Sequence, residues 1–94
     1  MEYELIALTR TSMHPKEALK TLKNIIMQCG GMILSEESEG VKRLAYSIQG
    51  EEYAHYYRYA FTIETPARIT EMRDMLEKQN NIIRFLLVAI QPPF

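Results

Sequence analysis

A chain of 94 residues, 47% of them hydrophobic and 24% charged, can close around one core and no more, so a single domain over 1–94 is expected. A formal net charge of −1 excludes a polyanion binder held by overall charge and leaves that task to local basic patches. No apolar run approaches the roughly 18 residues of a membrane span, the lone Cys29 cannot form an internal disulfide, and no Cys/His grouping has zinc-like spacing, so neither a membrane nor a cofactor is expected.

The opening Met1-Glu2-Tyr3-Glu4 is acidic and runs directly into an apolar strand pattern from Tyr3 to Thr9, with none of the features of a cleavable address. Arg10-Thr11-Ser12-Met13-His14-Pro15 has turn and helix-start chemistry. Beyond it, Ala18, Leu19, Leu22, Ile25, Ile26 and Cys29 recur at spacings of three and four, which predicts a one-sided helix closed by Gly30-Gly31. A second strand starts at Met32-Ile33-Leu34, crosses the acidic Glu36 to Glu39 stretch and resumes after Gly40, where a bulge or bend is expected.

The segment Gly40-Val41-Lys42-Arg43-Leu44-Ala45-Tyr46-Ser47-Ile48 sets two cations at the foot of an alternating Leu44, Tyr46 and Ile48, a pattern that predicts joint burial of those three side chains. Tyr57 to Glu64 alternates most clearly, with Tyr57, Tyr59, Phe61 and Ile63 on one face and Arg58, Ala60, Thr62 and Glu64 on the other. The short linker after Ile48, Gln49-Gly50-Glu51-Glu52, predicts an antiparallel hairpin. Thr65-Pro66 reads as an N-cap and first helical residue, Ile69, Met72, Met75 and Leu76 as the buried stripe of a second helix, and Ile82 to Ile90 as a last strand stopped by Pro92-Pro93.

Strand, helix, strand, strand, helix, strand packs most simply as an α+β, ferredoxin-like βαββαβ domain: a four-stranded antiparallel sheet with two helices on one face. The other face is then open, and the alternation assigns to it Ile6, Leu8, Arg58, Ala60, Thr62, Arg84, Leu86 and Val88. An open face both apolar and basic suggests a partner.

Catalytic chemistry is missing from the pattern. His14 and His55 sit in turn-like positions without a nucleophile or carboxylate partner, and the glycine-free Arg10-Thr11-Ser12-Met13-His14 loop is a poor anion cradle for a phosphatase. Arg58-Tyr59-Ala60-Phe61 resembles a fragment of the RNA-recognition-motif signature, yet it lacks the required glycine, and the alternation turns Tyr59 and Phe61 inward, so core aromatics are expected instead of base-stacking ones.

With these features in place, Tyr3-Glu4-Leu5-Ile6-Ala7-Leu8, Gly40 to Ile48 and Asn81-Ile82-Ile83-Arg84-Phe85-Leu86-Leu87-Val88 resemble, in order, the characteristic stretches of the ribosomal small-subunit protein S-six family. The resemblance implies a non-enzymatic protein of the ribosome that binds the central domain of small-subunit rRNA and pairs with ribosomal protein S-eighteen, with no small-molecule substrate. It implies Tyr3, Lys42, Arg43 and Arg84 as RNA contacts, and Tyr46, Arg58 and Leu86 at the junction with RNA or the protein partner. Ser47 stands where the family commonly has proline, basic residues expected near Glu2 and Ile83 are missing, and the sequence ends at Phe94 without a long charged tail, so a reduced RNA footprint is expected. The opening segment looks more like mitochondrial than bacterial members, which favours the mitochondrial matrix over the bacterial cytoplasm. The competing reading is a free-standing ferredoxin-like module that dimerises through its sheet and binds a small ligand.

Overall fold

The computed structural model of the chain describes residues 1–90, so the Pro92-Pro93 stop lies outside the described residues. The expected elements are present in the expected order: β1 (Glu2–Thr9), α1 (Pro15–Gln28), β2 (Gly31–Ile48), β3 (Glu51–Ile63), α2 (Ile69–Glu77) and β4 (Ile82–Ile90). They form one antiparallel sheet in the order β2-β3-β1-β4, with β3 inserted between the parallel β1 and β2. That is the ferredoxin-like arrangement the alternation and helix periodicity require.

Local chemistry starts and stops the helices. His14 caps α1, its Nδ1 accepting the Lys16 N–H at 3.1 Å, and Pro15 occupies the first helical position, where a missing N–H costs nothing. Before α2 the outcome differs from expectation. Pro66–Arg68 forms a single 3-10 turn, and Thr65 makes no side-chain cap bond. The helix proper begins at Ile69, and Arg68 ties the turn to α1 by donating to the Gln28 carbonyl at 2.7 Å. Carbonyls left over at the end of α1 thereby find a donor.

Between sheet and helices lies the main core. Leu5, Ala7, Tyr57, Tyr59, Phe61 and Ile63 from the strands meet Ala18, Leu22, Ile25, Ile26, Met72 and Leu76 from the helices, all buried. Cys29 joins them as a small apolar residue, its thiol pushed up in pKa first by burial and then by the nearby Glu71 carboxylate. The Tyr59 hydroxyl reaches the far rim of this layer, where it donates to Glu36 Oε2 at 2.8 Å, with the Leu19 carbonyl at 3.4 Å as a second acceptor. His55 departs from the turn-like position expected of it: it lies within β3, half-buried and stacked on Tyr57 with ring centroids 6.0 Å apart.

A second core occupies the opposite face of the sheet, and the strand alternation gave no sign of it. The β2–β3 hairpin outruns β1, whose pairing with β3 ends at Thr9 opposite His55. Beyond that point the arm folds over, so that Leu44 and Ala54 close on Leu8 and Ile83, with Ile6, Ile48 and Tyr56 partly buried around them. The irregular pairing explains the bend. Register shifts lie between Ser38 and Gly40, as expected for a bulge there, and between Arg43 and Ile48, which leaves residues 44–47 outside the ladder. This second shift corrects the expected joint burial of Leu44, Tyr46 and Ile48: Leu44 is buried and Ile48 half-buried, whereas Tyr46 is 64% exposed. Alternation across a strand holds only while its ladder holds.

Gln49 and Gly50, both with positive φ (48° and 80°), make the two-residue turn. A glutamine in this left-handed region is strained, and its side chain is held at both ends: Oε1 accepts from Arg10 Nη2 at 3.0 Å and Nε2 donates to the Ile83 carbonyl at 3.2 Å. Arg10 also donates to the Asn80 carbonyl at 3.2 Å and pairs with Glu51 at 3.5 Å. The one arginine of the loop after β1 is therefore engaged in fastening the hairpin tip to the start of β4.

Burial raises the pKa of both Tyr57 and Tyr59 above their ordinary value of 10, and for Tyr59 the bond to Glu36 adds to burial. A group whose native pKa is raised contributes stability that is complete below its unfolded pKa and is lost as pH climbs past it. The chain is accordingly expected to lose stability above about pH 10, and Tyr59→Phe to flatten that decline, measured as urea midpoints across the alkaline range. An unchanged alkaline slope in the variant would show that Tyr59 is not protected from ionisation.

Candidate nucleic-acid interface

Register fixes which side chains share the open face. Ile6 stands between Arg58 and Leu86, Leu8 between Tyr56 and Arg84, and Glu4 between Ala60 and Val88. Every residue the alternation assigned to this face is on it, although Leu8 is covered by the folded-over hairpin. Leu86 and Val88 are exposed at 54% and 38%. They form an apolar strip along the edge strand β4, beside the cations.

Two of those cations are already paired with carboxylates. Arg58 donates to Glu4 Oε1 at 3.0 Å and lies 3.8 Å from Glu39, which also sits 3.9 Å from the Lys42 ammonium. Lys42 rests over the Tyr56 ring, 5.0 Å from its centroid. Among the described residues, Arg43 and Arg84 enter no ion pair. Arg84 donates to the Tyr46 hydroxyl at 3.0 Å and packs near its ring, which gathers two of the sequence-predicted residues into one pair. A guanidinium has five donors in a planar fork, so this bond leaves most of its capacity free.

The adjacent Lys42 and Arg43 lie on different faces. Lys42 pairs with Ala54 on the open face and Arg43 with Tyr53, whose neighbours in the alternation face the helices, so the two cations point to opposite sides of the arm. Tyr3 departs furthest from its expected surface role. Its ring is 9% exposed in the main core, 5.8 Å from the Phe61 ring, and its hydroxyl is turned to the Met1 sulfur. Tyr3 is an inward-facing residue of β1, as Leu5 and Ala7 are. Tyr56, which carries Lys42, is a further residue of this face, in step with the alternation of Arg58, Ala60 and Thr62 extended backwards along β3.

Beside the Arg84–Tyr46 pair, a shallow cavity of about 260 Å³ is lined by Leu8, Leu44, Ala45, Ile48 and Tyr56. It offers an apolar floor with a cation and two phenol rings at its rim, a setting for stacking and charge recognition. Among the described residues no three His, Cys, Asp or Glu side chains are grouped to hold a metal, and no helix is long and apolar enough to cross a membrane.

Fold and open face together define a ferredoxin-like α+β domain of the binding type. The family model described as Ribosomal protein S6 matches residues 2–89, and the chain belongs to that family of structural, non-enzymatic proteins of the small ribosomal subunit. It is similar to the small ribosomal subunit proteins bS6 of Bartonella bacilliformis (33% identity, covering 95% of this chain and 67% of that one) and of Aquifex aeolicus (36% identity, 81% and 69%). A third such relative, from Nitratiruptor, is 34% identical over 88% of this chain and 64% of its own, so the chain spans about two thirds of the length of these relatives. The fold superposes on the crystal structure of 30S ribosomal protein S6 from Thermotoga maritima with a TM-score of 0.84 at 21% identity, over 93% of this chain and 84% of that one. A solution structure of the C-terminal domain of MgtC from Mycobacterium tuberculosis shares the fold more loosely, with a TM-score of 0.56 at 13% identity, and shows why the fold alone does not specify a task.

Proposed function

We propose that the chain is a structural constituent of the small ribosomal subunit that binds the central domain of small-subunit rRNA together with its neighbour, the protein S-eighteen homologue. The observation that carries this reading is Arg84: a guanidinium with no ion pair among the described residues, steadied by Tyr46 on the open face of a domain whose family is ribosomal. Lys42 and Arg43 supply further charge from the two sides of the hairpin arm, and Leu86 with Val88 offers the apolar strip on which a protein partner would close. A chain with a net charge of −1 then needs only a few placed cations and a basic neighbour to hold a polyanion. Tyr3 is left out of this contact set because its ring is in the core. That the relatives named above are bacterial supports a bacterial ribosome over the mitochondrial one suggested by the opening segment.

The test is binding to a central-domain rRNA fragment across a salt series, with and without the S-eighteen homologue. Each lost phosphate contact should reduce the salt slope by about one unit, so Arg84→Ala is expected to weaken binding and flatten the slope by that amount. Leu86→Asp should leave the isolated fold intact, because the side chain is 54% exposed, and should abolish the gain conferred by the protein partner. Wild-type affinity and slope in Arg84→Ala would remove the open face from the RNA interface. A stable free dimer that never co-sediments with small subunits would favour the free-standing module instead.

A further inference from the structure

Two arginines outside the ion-pair network converge at one end of the sheet. An open cavity of about 360 Å³ between α2 and the start of β4 is lined by Gln49, Arg73, Glu77, Ile83, Arg84 and Phe85, among others. Arg73 comes from α2 and Arg84 from β4, and among the described residues neither is salt-bridged. Solvated helix faces often carry an unpaired arginine. Two of them from different elements in the lining of one recess, against a single carboxylate from Glu77, leave a net positive local charge that water must screen unless an anion enters.

The recess is also held in shape. Gln49 stands in its wall in a strained left-handed conformation, fixed between Arg10 and the Ile83 carbonyl, while Tyr46 restrains Arg84 from the open-face side. Residues kept off their preferred backbone geometry by a surrounding network are found preferentially at binding sites. The planar forks of two guanidinium groups match the oxygens of a phosphate better than they match a compact halide.

We propose that this cavity seats a phosphate of the RNA backbone, with Arg73 and Arg84 as its two cationic ligands. The proposal rests on the RNA-binding reading above and extends it from the open face, round the edge of β4, to α2. Glu77 makes the assignment testable in sign. It lies in the same lining and opposes an anion, so removing its charge should strengthen the binding that removing Arg73 weakens.

The experiment uses the full chain, the central-domain rRNA fragment and a salt series, with Arg73→Ala, Glu77→Gln and Arg84→Ala compared with wild type. Arg73 and Glu77 are both exposed on α2 and alanine is a good helix former, so thermal melts should stay at the wild-type value. Arg73→Ala is expected to bind several-fold more weakly with a salt slope flatter by about one unit, and Glu77→Gln to bind more tightly. Wild-type affinity and slope in Arg73→Ala, beside a weakened Arg84→Ala, would overturn the cavity assignment and leave the broader reading standing. Failure of the wild-type chain to bind the fragment would overturn both. Inorganic phosphate is titrated in parallel while the Nε–H resonances of both arginines are followed; shifts there with no effect of Arg73→Ala on RNA would assign the cavity to free anions and overturn the proposal.

Discussion

Phe61→Ala is expected to cost about 3–5 kcal/mol in chemical denaturation, a large share of the roughly 5–15 kcal/mol that holds a domain of this kind. Phe61 is fully buried at the middle of the sheet, opposite Tyr3 on β1 and Ile33 on β2, and its ring stacks on Tyr3 at 5.8 Å. Removing it withdraws contacts from three strands at once, and a strand ladder cannot collapse sideways to refill the space. Phe61→Leu, which keeps most of the volume, should cost under about 1.5 kcal/mol. A loss below about 1 kcal/mol in Phe61→Ala would show that the layer between sheet and helices is not packed as described.

The neighbouring glycines should separate two mechanisms. Gly30 has φ 81° and closes α1, so an alanine there is strained by its backbone, at about 1–2 kcal/mol. Gly31 has no such conformation. A Cβ on it would lie 2.6 Å from Ile26 Cγ2, 2.9 Å from the Ile26 carbonyl oxygen and 3.2 Å from the Phe61 ring. Because one of those atoms is backbone, β2 would have to move away from α1, and Gly31→Ala is expected to lose about 1–3 kcal/mol by overpacking. Asparagine discriminates the two: it tolerates the left-handed region and should be milder than alanine at 30, whereas at 31 its added bulk should be at least as harmful as alanine. Equal responses at both positions would refute the distinction.

Periodicity carried the architecture because the main core obeys it. Tyr57, Tyr59, Phe61 and Ile63 alternate along a β1–β3 ladder without a register shift, and Leu22, Ile25, Ile26, Met72 and Leu76 follow helical spacing, so their burial could be read from the chain. The reading failed wherever pairing slipped. Tyr46 was assigned to a buried trio with Leu44 and Ile48, yet the register shift after Arg43 releases it to the surface, where it meets Arg84 from a strand 38 positions away. Tyr3 was assigned to the surface by resemblance, while its position in the alternation already matched the inward Leu5 and Ala7.

Element order, the face each strand buries and the family are thus properties of local pattern, since the side-chain periods of 2 and 3.6 are set by backbone geometry alone. The folding-over of the β2–β3 arm, the second core beneath it, the division of Lys42 and Arg43 between two faces and the presence of Arg73 and Arg84 in one cavity lining are long-range outcomes. They depend on where ladders break and which carboxylates reach which cations, and those distances exist only after the strands have paired.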